Sequence, residues 1–128
     1  MSNDLELRGV VEDYITCYNS FNINEMVDCF TEGCRFEHIS NASDKIICNG
    51  RAELKELASK SALSFDERKQ TVTKWIIAKD FVVVEIDYEA VLASDFPDGM
   101  KKGDTIKSKG ISIYEIEQGK IKRLVDFS

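Results

Sequence analysis

The stretch FVVVEIDYEAVL, residues 81–92, alternates apolar and polar side chains with a period of two. Val82, Val84, Ile86, Tyr88, Ala90 and Leu92 fall on one face, and Glu85, Asp87 and Glu89 on the other. That period belongs to a strand with one buried side. Working outward, the residues from about 68 to the end repeat the pattern. Segments 68–79, 81–95, 104–117 and 120–127 are β-rich. Turn signals divide them at Ala78-Lys79-Asp80, Pro97-Asp98-Gly99 and Glu117-Gln118-Gly119. In the third segment Ser108, Gly110, Ser112, Tyr114 and Ile116 share a face opposite Lys107, Lys109, Ile111 and Ile113. Across the hairpin those lysines can meet the carboxylates of residues 85–89, so a solvated sheet face explains the acidic residues better than a metal site.

Before residue 67 the period changes. Leu7, Val10, Val11, Tyr14, Cys17, Tyr18 and Phe21 recur at three- and four-residue steps, which predicts a helix over 4–20. Asn22 with Glu25 three residues on reads as a capping box for a second helix over 23–31, with Met26, Val27 and Phe30 inward and Gly33 as its C-cap. Cys34 to Ser40 alternates as a strand, with Cys34, Phe36 and His38 on one face and Arg35, Glu37 and Ile39 on the other. Asn41 to Asp44 reads as a turn and Lys45 to Cys48 as a short strand. Gly50 reads as the cap of a third helix over 51–63, with Glu53 at its third position and Leu54, Leu57 and Ala58 on its buried side. Helices first and an antiparallel meander after them predict an α+β domain with the helices on one face of a curved sheet.

The length of 128 residues suits one domain spanning 1–128. Apolar content of 43% supports a real core, and a net charge of −6 argues against nucleic-acid binding, which needs a basic face. No run of about 18 apolar residues predicts a membrane span, and the first ten residues lack a secretory apolar core, so a cytoplasmic location is expected. Cys17, Cys29, Cys34 and Cys48 form no CxxC pair and only one histidine could join them, so reduced thiols are expected rather than a metal site. The Asn41-Ala42-Ser43 sequon is then a chance match.

Six short stretches carry a resemblance. Residues 14–19 (YITCYN) followed by 22–30 (NINEMVDCF), then Phe36-Glu37-His38, then residues 49–54 (NGRAEL), then residues 110–114 (GISIY) with Gly119-Lys120-Ile121, resemble in order and spacing the nuclear transport factor 2-like superfamily, which includes SnoaL-like and ketosteroid isomerase-like proteins. The likeness runs from about residue 5 to the end. It implies a cone-shaped roll of three N-terminal helices packed on a strongly bent antiparallel sheet and enclosing an apolar pocket. It further implies a homodimer through the outer sheet face, where Ile111 and Ile113 stand. The function implied is small-molecule binding, with cofactor-free acid/base chemistry on an apolar molecule (isomerase, cyclase, dehydratase or hydrolase). The alternative is a ligand-binding or dimerisation module without chemistry, since fold alone does not fix function.

In ketosteroid isomerases a helix-one tyrosine and a late-strand acid hold an oxyanion while a first-strand aspartate moves the proton, and the late acid stays neutral in an apolar site. By that likeness Tyr14 takes the tyrosine position, His38 the base position, and Ser112 the late acid's position. A serine cannot replace a buried carboxylic acid as a donor, so steroid isomerisation is disfavoured. A histidine can still carry a proton near neutral pH, although a lone histidine on an apolar strand face also fits a hydrogen-bonded core residue. Tyr14 fits either a donor or core packing. Asp126, on a face with Leu124 and in a terminal Asp-aromatic pair like that of SnoaL-like proteins, is a third candidate, against an exposed residue near the C-terminus. Tyr18, Phe36, Trp75, Tyr88, Ser112 and Tyr114 are the expected pocket lining. No metal ligand set and no cofactor are expected.

Overall fold

A computed structural model describes residues 4–40 and 45–128. The expected turn at Asn41 to Asp44, and the sequon within it, lie outside the described residues. Helix α1 (Asp4–Asn19) is followed by α2 (Ile23–Asp28), β1 (Phe30–Ile39), β2 (Lys45–Asn49), α3 (Gly50–Ala62), β3 (Phe65–Ala78), β4 (Phe81–Leu92), β5 (Thr105–Glu117) and β6 (Lys120–Phe127). The strands form one bent sheet in the order β2-β1-β6-β5-β4-β3. The α+β roll expected from the sequence is therefore present. The sheet is mixed rather than purely antiparallel, because β6 inserts beside β1 and runs parallel to it.

Helix α1 buries Leu7, Val11, Tyr14 and Ile15 and lies against β3. Helix α3 buries Leu54 and Ala58 and lies against β1. Both helices cover the face of the sheet that carries Val82, Val84, Ile86, Tyr114, Ile116 and Leu124, all buried. The N-cap of α3 is Asn49, whose backbone N–H donates to Glu53 Oε1 at 2.9 Å. Gly50 is its first residue and holds φ at +86°, a conformation that strains any residue with a Cβ.

The second helix is shorter than its apolar spacing predicts. It stops at Asp28, and Phe30 opens β1. The cause is tertiary: the Ile121 N–H donates to the Cys29 carbonyl at 2.8 Å, and Phe30 pairs with Ile121 on the last strand. Gly33 is accordingly a strand residue and no C-cap. Asn22 makes no side-chain capping bond; the turn before α2 is set instead by Phe21 at φ 59°. All four cysteines are free, Cys34 and Cys48 buried and Cys17 and Cys29 half-buried.

The outer face also has a buried charge. Glu37, only 4% exposed, meets Arg123 at 3.0 Å and Arg35 and Lys45 at 3.3 Å each. Hydrogen bonds from these cations, Arg123 first, pull its carboxyl down to about 2. Three positive neighbours let an acid sit between β2, β1 and β6 without protonation. On the same face Lys109 Nζ lies 2.7 Å from Asp87 Oδ1, and Lys107 pairs in register with Glu89.

Where β5 and β6 meet, backbone spacing leaves no room for a side chain at Gly110. A Cβ there would stand 2.8 Å from the Phe127 carbonyl oxygen. Gly110→Ala should therefore lower stability by about 1–3 kcal/mol, the usual range for overpacking against backbone. Urea denaturation should show a reduced midpoint with an unchanged slope.

Candidate functional site

The helices and the bent sheet enclose a cavity of about 360 Å³. Its walls are apolar, built by Met26, Phe36, Leu54, Leu57, Ala58 and Ile86. Two polar regions interrupt them. One comes from β1, β6 and β5, the other from α1, β3 and β4.

The first region follows from strand register. His38 on β1 pairs with Asp126 on β6, and Asp126 pairs with Ser112 on β5. Residues in register on neighbouring strands point to the same face, so the three side chains line one row of the cavity. Ser112 Oγ donates to Asp126 Oδ1 at 2.6 Å. Burial raises the Asp126 carboxyl above its ordinary value, opposed by the Ser112 hydrogen bond and then by the His38 charge. His38 stands nearer the rim, its Nε2 3.2 Å from Ser128 Oγ. Tyr14 reaches the same region from α1. It is 5% exposed, its ring held edge-on by Phe30 at 5.5 Å and Tyr114 at 5.8 Å between centroids. Burial, then the Asp126 charge, push its hydroxyl well above the usual phenol value, so it stays neutral and can donate.

The second region holds Tyr18 and Tyr88, whose hydroxyl oxygens lie 3.1 Å apart. Burial raises both phenols. Beside them is Arg68, 5% exposed, which the sequence reading did not single out. Its guanidinium carbon stands 3.7 Å from the Tyr18 ring centroid and 4.5 Å from that of Phe21, and its Nε donates to the Tyr18 carbonyl at 3.0 Å. The signal for it was alternation: Arg68, Gln70 and Val72 share a strand face, and Arg68 sits opposite the small Ala90.

His38, Tyr14 and Asp126 thus all border one cavity, together with Tyr18, Phe36, Tyr88 and Ser112. Two residues expected in the lining are elsewhere. Tyr114 is wholly buried behind the wall. Trp75 borders a separate groove: it faces inward, opposite the buried Val84, but toward α1, where the Arg8 guanidinium lies 4.5 Å over its ring. Among the described residues, no three His, Cys, Asp or Glu side chains converge as a metal site, and no helix is long and apolar enough to cross a membrane.

Comparison with known proteins returns one family: the SnoaL-like domain, matched over residues 11–124. No curated protein matches the chain. Solved structures with the same fold include IdmH of Streptomyces antibioticus, provisionally described as a polyketide cyclase, at 12% identity and TM-score 0.77 over 94% of this chain and 89% of that one. Another is TerC, crystallised with polyporic acid, at 14% identity and TM-score 0.76 over 94% and 89%. A third is a Catenulispora acidiphila protein with a ketosteroid isomerase-like fold, in complex with trimethylamine, at 15% identity and TM-score 0.77 over 93% and 84%. At these identities the likeness carries the fold alone.

A raised carboxyl has a cost in stability whose sign can be tested. The folded protein keeps the Asp126 proton to higher pH than the unfolded chain, so this group's contribution falls as pH rises from its ordinary 3.8 through the raised folded value. Asp126→Asn should raise the melting temperature at pH 7–8 by a few degrees, roughly 0.5–2 kcal/mol. The gain should vanish below pH 4. Calorimetric scans across that range would measure it.

Proposed function

The chain belongs to the SnoaL-like family, and on that premise we propose that its cavity binds an apolar small molecule and performs cofactor-free acid/base chemistry on it. The observation that carries this reading is the Asp126 carboxyl, raised by burial and hydrogen-bonded to Ser112 inside an otherwise apolar cavity. A carboxyl shifted upward is a stronger base than an ordinary one, and can take a proton and return it. Asp126 is assigned the role of proton carrier. Tyr14, neutral and close enough to Asp126 to feel its charge, donates to the substrate oxygen on which negative charge develops. His38 sits at the rim with Ser128, where it helps hold the ligand. The reaction class is proton abstraction next to a carbonyl, the step common to isomerisation, aldol-type cyclisation and dehydration.

Binding without chemistry is the second reading. It is favoured by one observation: among the described residues no hydrogen bond joins His38, Tyr14 and Asp126 to one another.

The outer sheet face suggests how the protein assembles. Ile76, Val83 and Ile113 align across β3, β4 and β5 with the buried Val125 of β6, and Ile76 is 63% and Ile111 46% exposed. An apolar strip flanked by Lys74, Glu85 and Lys109 suits a self-complementary interface. We propose a homodimer through this face and a cytoplasmic location.

Two experiments test these assignments. Aromatic ketones such as 1-tetralone, incubated with the protein in D₂O, should lose their α-proton NMR signal faster than in buffer. Asp126→Asn should slow that exchange about 10²–10⁴-fold, the usual share of one general base, while the ketone still binds. Exchange no faster than in buffer for every ketone that binds would leave the binding reading standing. For assembly, sedimentation should give a species of twice the 14.5 kDa chain, and the double variant Ile76→Asp/Ile111→Asp should sediment as the single chain.

A further inference from the structure

Arg68 is a buried cation without a counter-charge. It is 95% buried by its 5% exposure, and among the described residues no ion pair includes it. Its Nη2 has no hydrogen-bond partner, although the Tyr18 hydroxyl lies near enough to be affected by its charge. A charge taken out of water is costly unless paired, and stacking on Tyr18 and Phe21 offsets only part of that cost. The Nε–Tyr18 carbonyl bond ties β3 to the end of α1, but that structural task occupies one edge of the guanidinium. The remaining edge belongs to a side chain that borders the cavity.

The surroundings add donors rather than acceptors. The Arg68 charge reaches the hydroxyls of Tyr14, Tyr18 and Tyr88, favouring negative charge on each. One of the Tyr18 and Tyr88 hydroxyls donates to the other, which leaves the acceptor's own proton free to point at a ligand. A planar fork beside spare hydroxyl donors matches a carboxylate in geometry and in charge. The chain as a whole carries −6 and repels anions at long range, so any affinity for one must come from this local arrangement.

We propose that the ligand of this cavity carries a carboxylate that docks on the Arg68 guanidinium and the Tyr18–Tyr88 hydroxyl pair, with its apolar body between the α3 wall and Ile86. This assignment rests on the small-molecule reading of the cavity and specifies its ligand class. It places the ligand's charged end at α1, β3 and β4, and its reacting end at Asp126.

The test uses a matched probe pair, 2-naphthoate and 2-naphthamide, which share shape and differ in charge. Calorimetric titration at pH 7.5 should show the wild-type protein binding the carboxylate at least tenfold more tightly. Arg68→Met should abolish that preference, and Arg68→Lys should keep part of it, because charge survives without the fork. If the Met variant does not fold, Arg68→Lys and the ¹⁵N signal of the Arg68 Nε decide: naphthoate should shift that signal in the wild-type protein and naphthamide should not. Equal affinity for the two probes, or a preference that survives Arg68→Met, overturns the carboxylate assignment and leaves an apolar binding cavity. Failure of both probes to bind at millimolar concentration overturns the assignment together with the small-molecule reading. Loss of ketone exchange in the Asp126 experiment, by contrast, has no bearing on this result.

Discussion

The parallel pairing of β1 with β6 is the constraint on which the rest of the molecule depends. It joins residues about ninety positions apart in sequence, such as His38 and Asp126. Without it β6 would be an open edge and the first two strands a separate hairpin. With it, Leu124 and Ile121 are wholly buried, and Glu37 is caught among three cations on the opposite face. The same pairing draws Phe30 out of the helix that its spacing predicts. Pairings of such long range slow folding, and the row of His38, Asp126 and Ser112 exists only once β1, β6 and β5 are paired.

That row accounts for how the candidate site tolerates a missing acid. Ser112 is the β5 position at which the likeness to ketosteroid isomerases implies a carboxylic acid. In this fold the neighbouring strand supplies one in register, and Ser112 becomes its hydrogen-bond donor at 2.6 Å. A carboxyl on β6 faces the same cavity as one on β5 would. The hydroxyl that cannot replace an acid can hold one in place, which is a positioning role for a side chain otherwise read as a loss.

What the sequence made legible follows from which forces act locally. The two-residue period of residues 81–92 and the three- and four-residue steps of residues 7–18 record burial on one face, and both appear in the folded chain where the pattern put them. The inward direction of His38 was legible for the same reason. The end of α2, the role of Gly33 and the parallel strand pair were not, because each is set by β6 docking from the far end of the chain. Trp75 was misplaced because facing the helices does not fix which part of them a side chain meets: opposite Val84 it packs under Arg8 of α1, away from the cavity. Arg68 was passed over because a charged residue at the start of a strand reads as solvent-facing, while its burial depends on Ala90 opposite and on two aromatic rings from the other end of the domain.

Asp126 and Arg68 border one cavity and do not pair, and that separation needs a physical reason. A fold selected for stability alone gains by joining a buried carboxyl to a buried guanidinium, or by replacing both with apolar groups. Here the two are fixed on different strands, β6 and β3, which lie on either side of β5 and β4. Each is tied to its own neighbour instead: Asp126 to Ser112, Arg68 to the Tyr18 carbonyl and ring. Burial raises the Asp126 carboxyl above its ordinary value, while the guanidinium has no counter-charge among the described residues. On the carboxylate-ligand proposal, a molecule that spans the cavity would give the cation the counter-charge that the described residues do not. A core built for stability alone would have paired that cation or replaced it with an apolar group, and the proposed carboxylate gives a reason why this chain does neither.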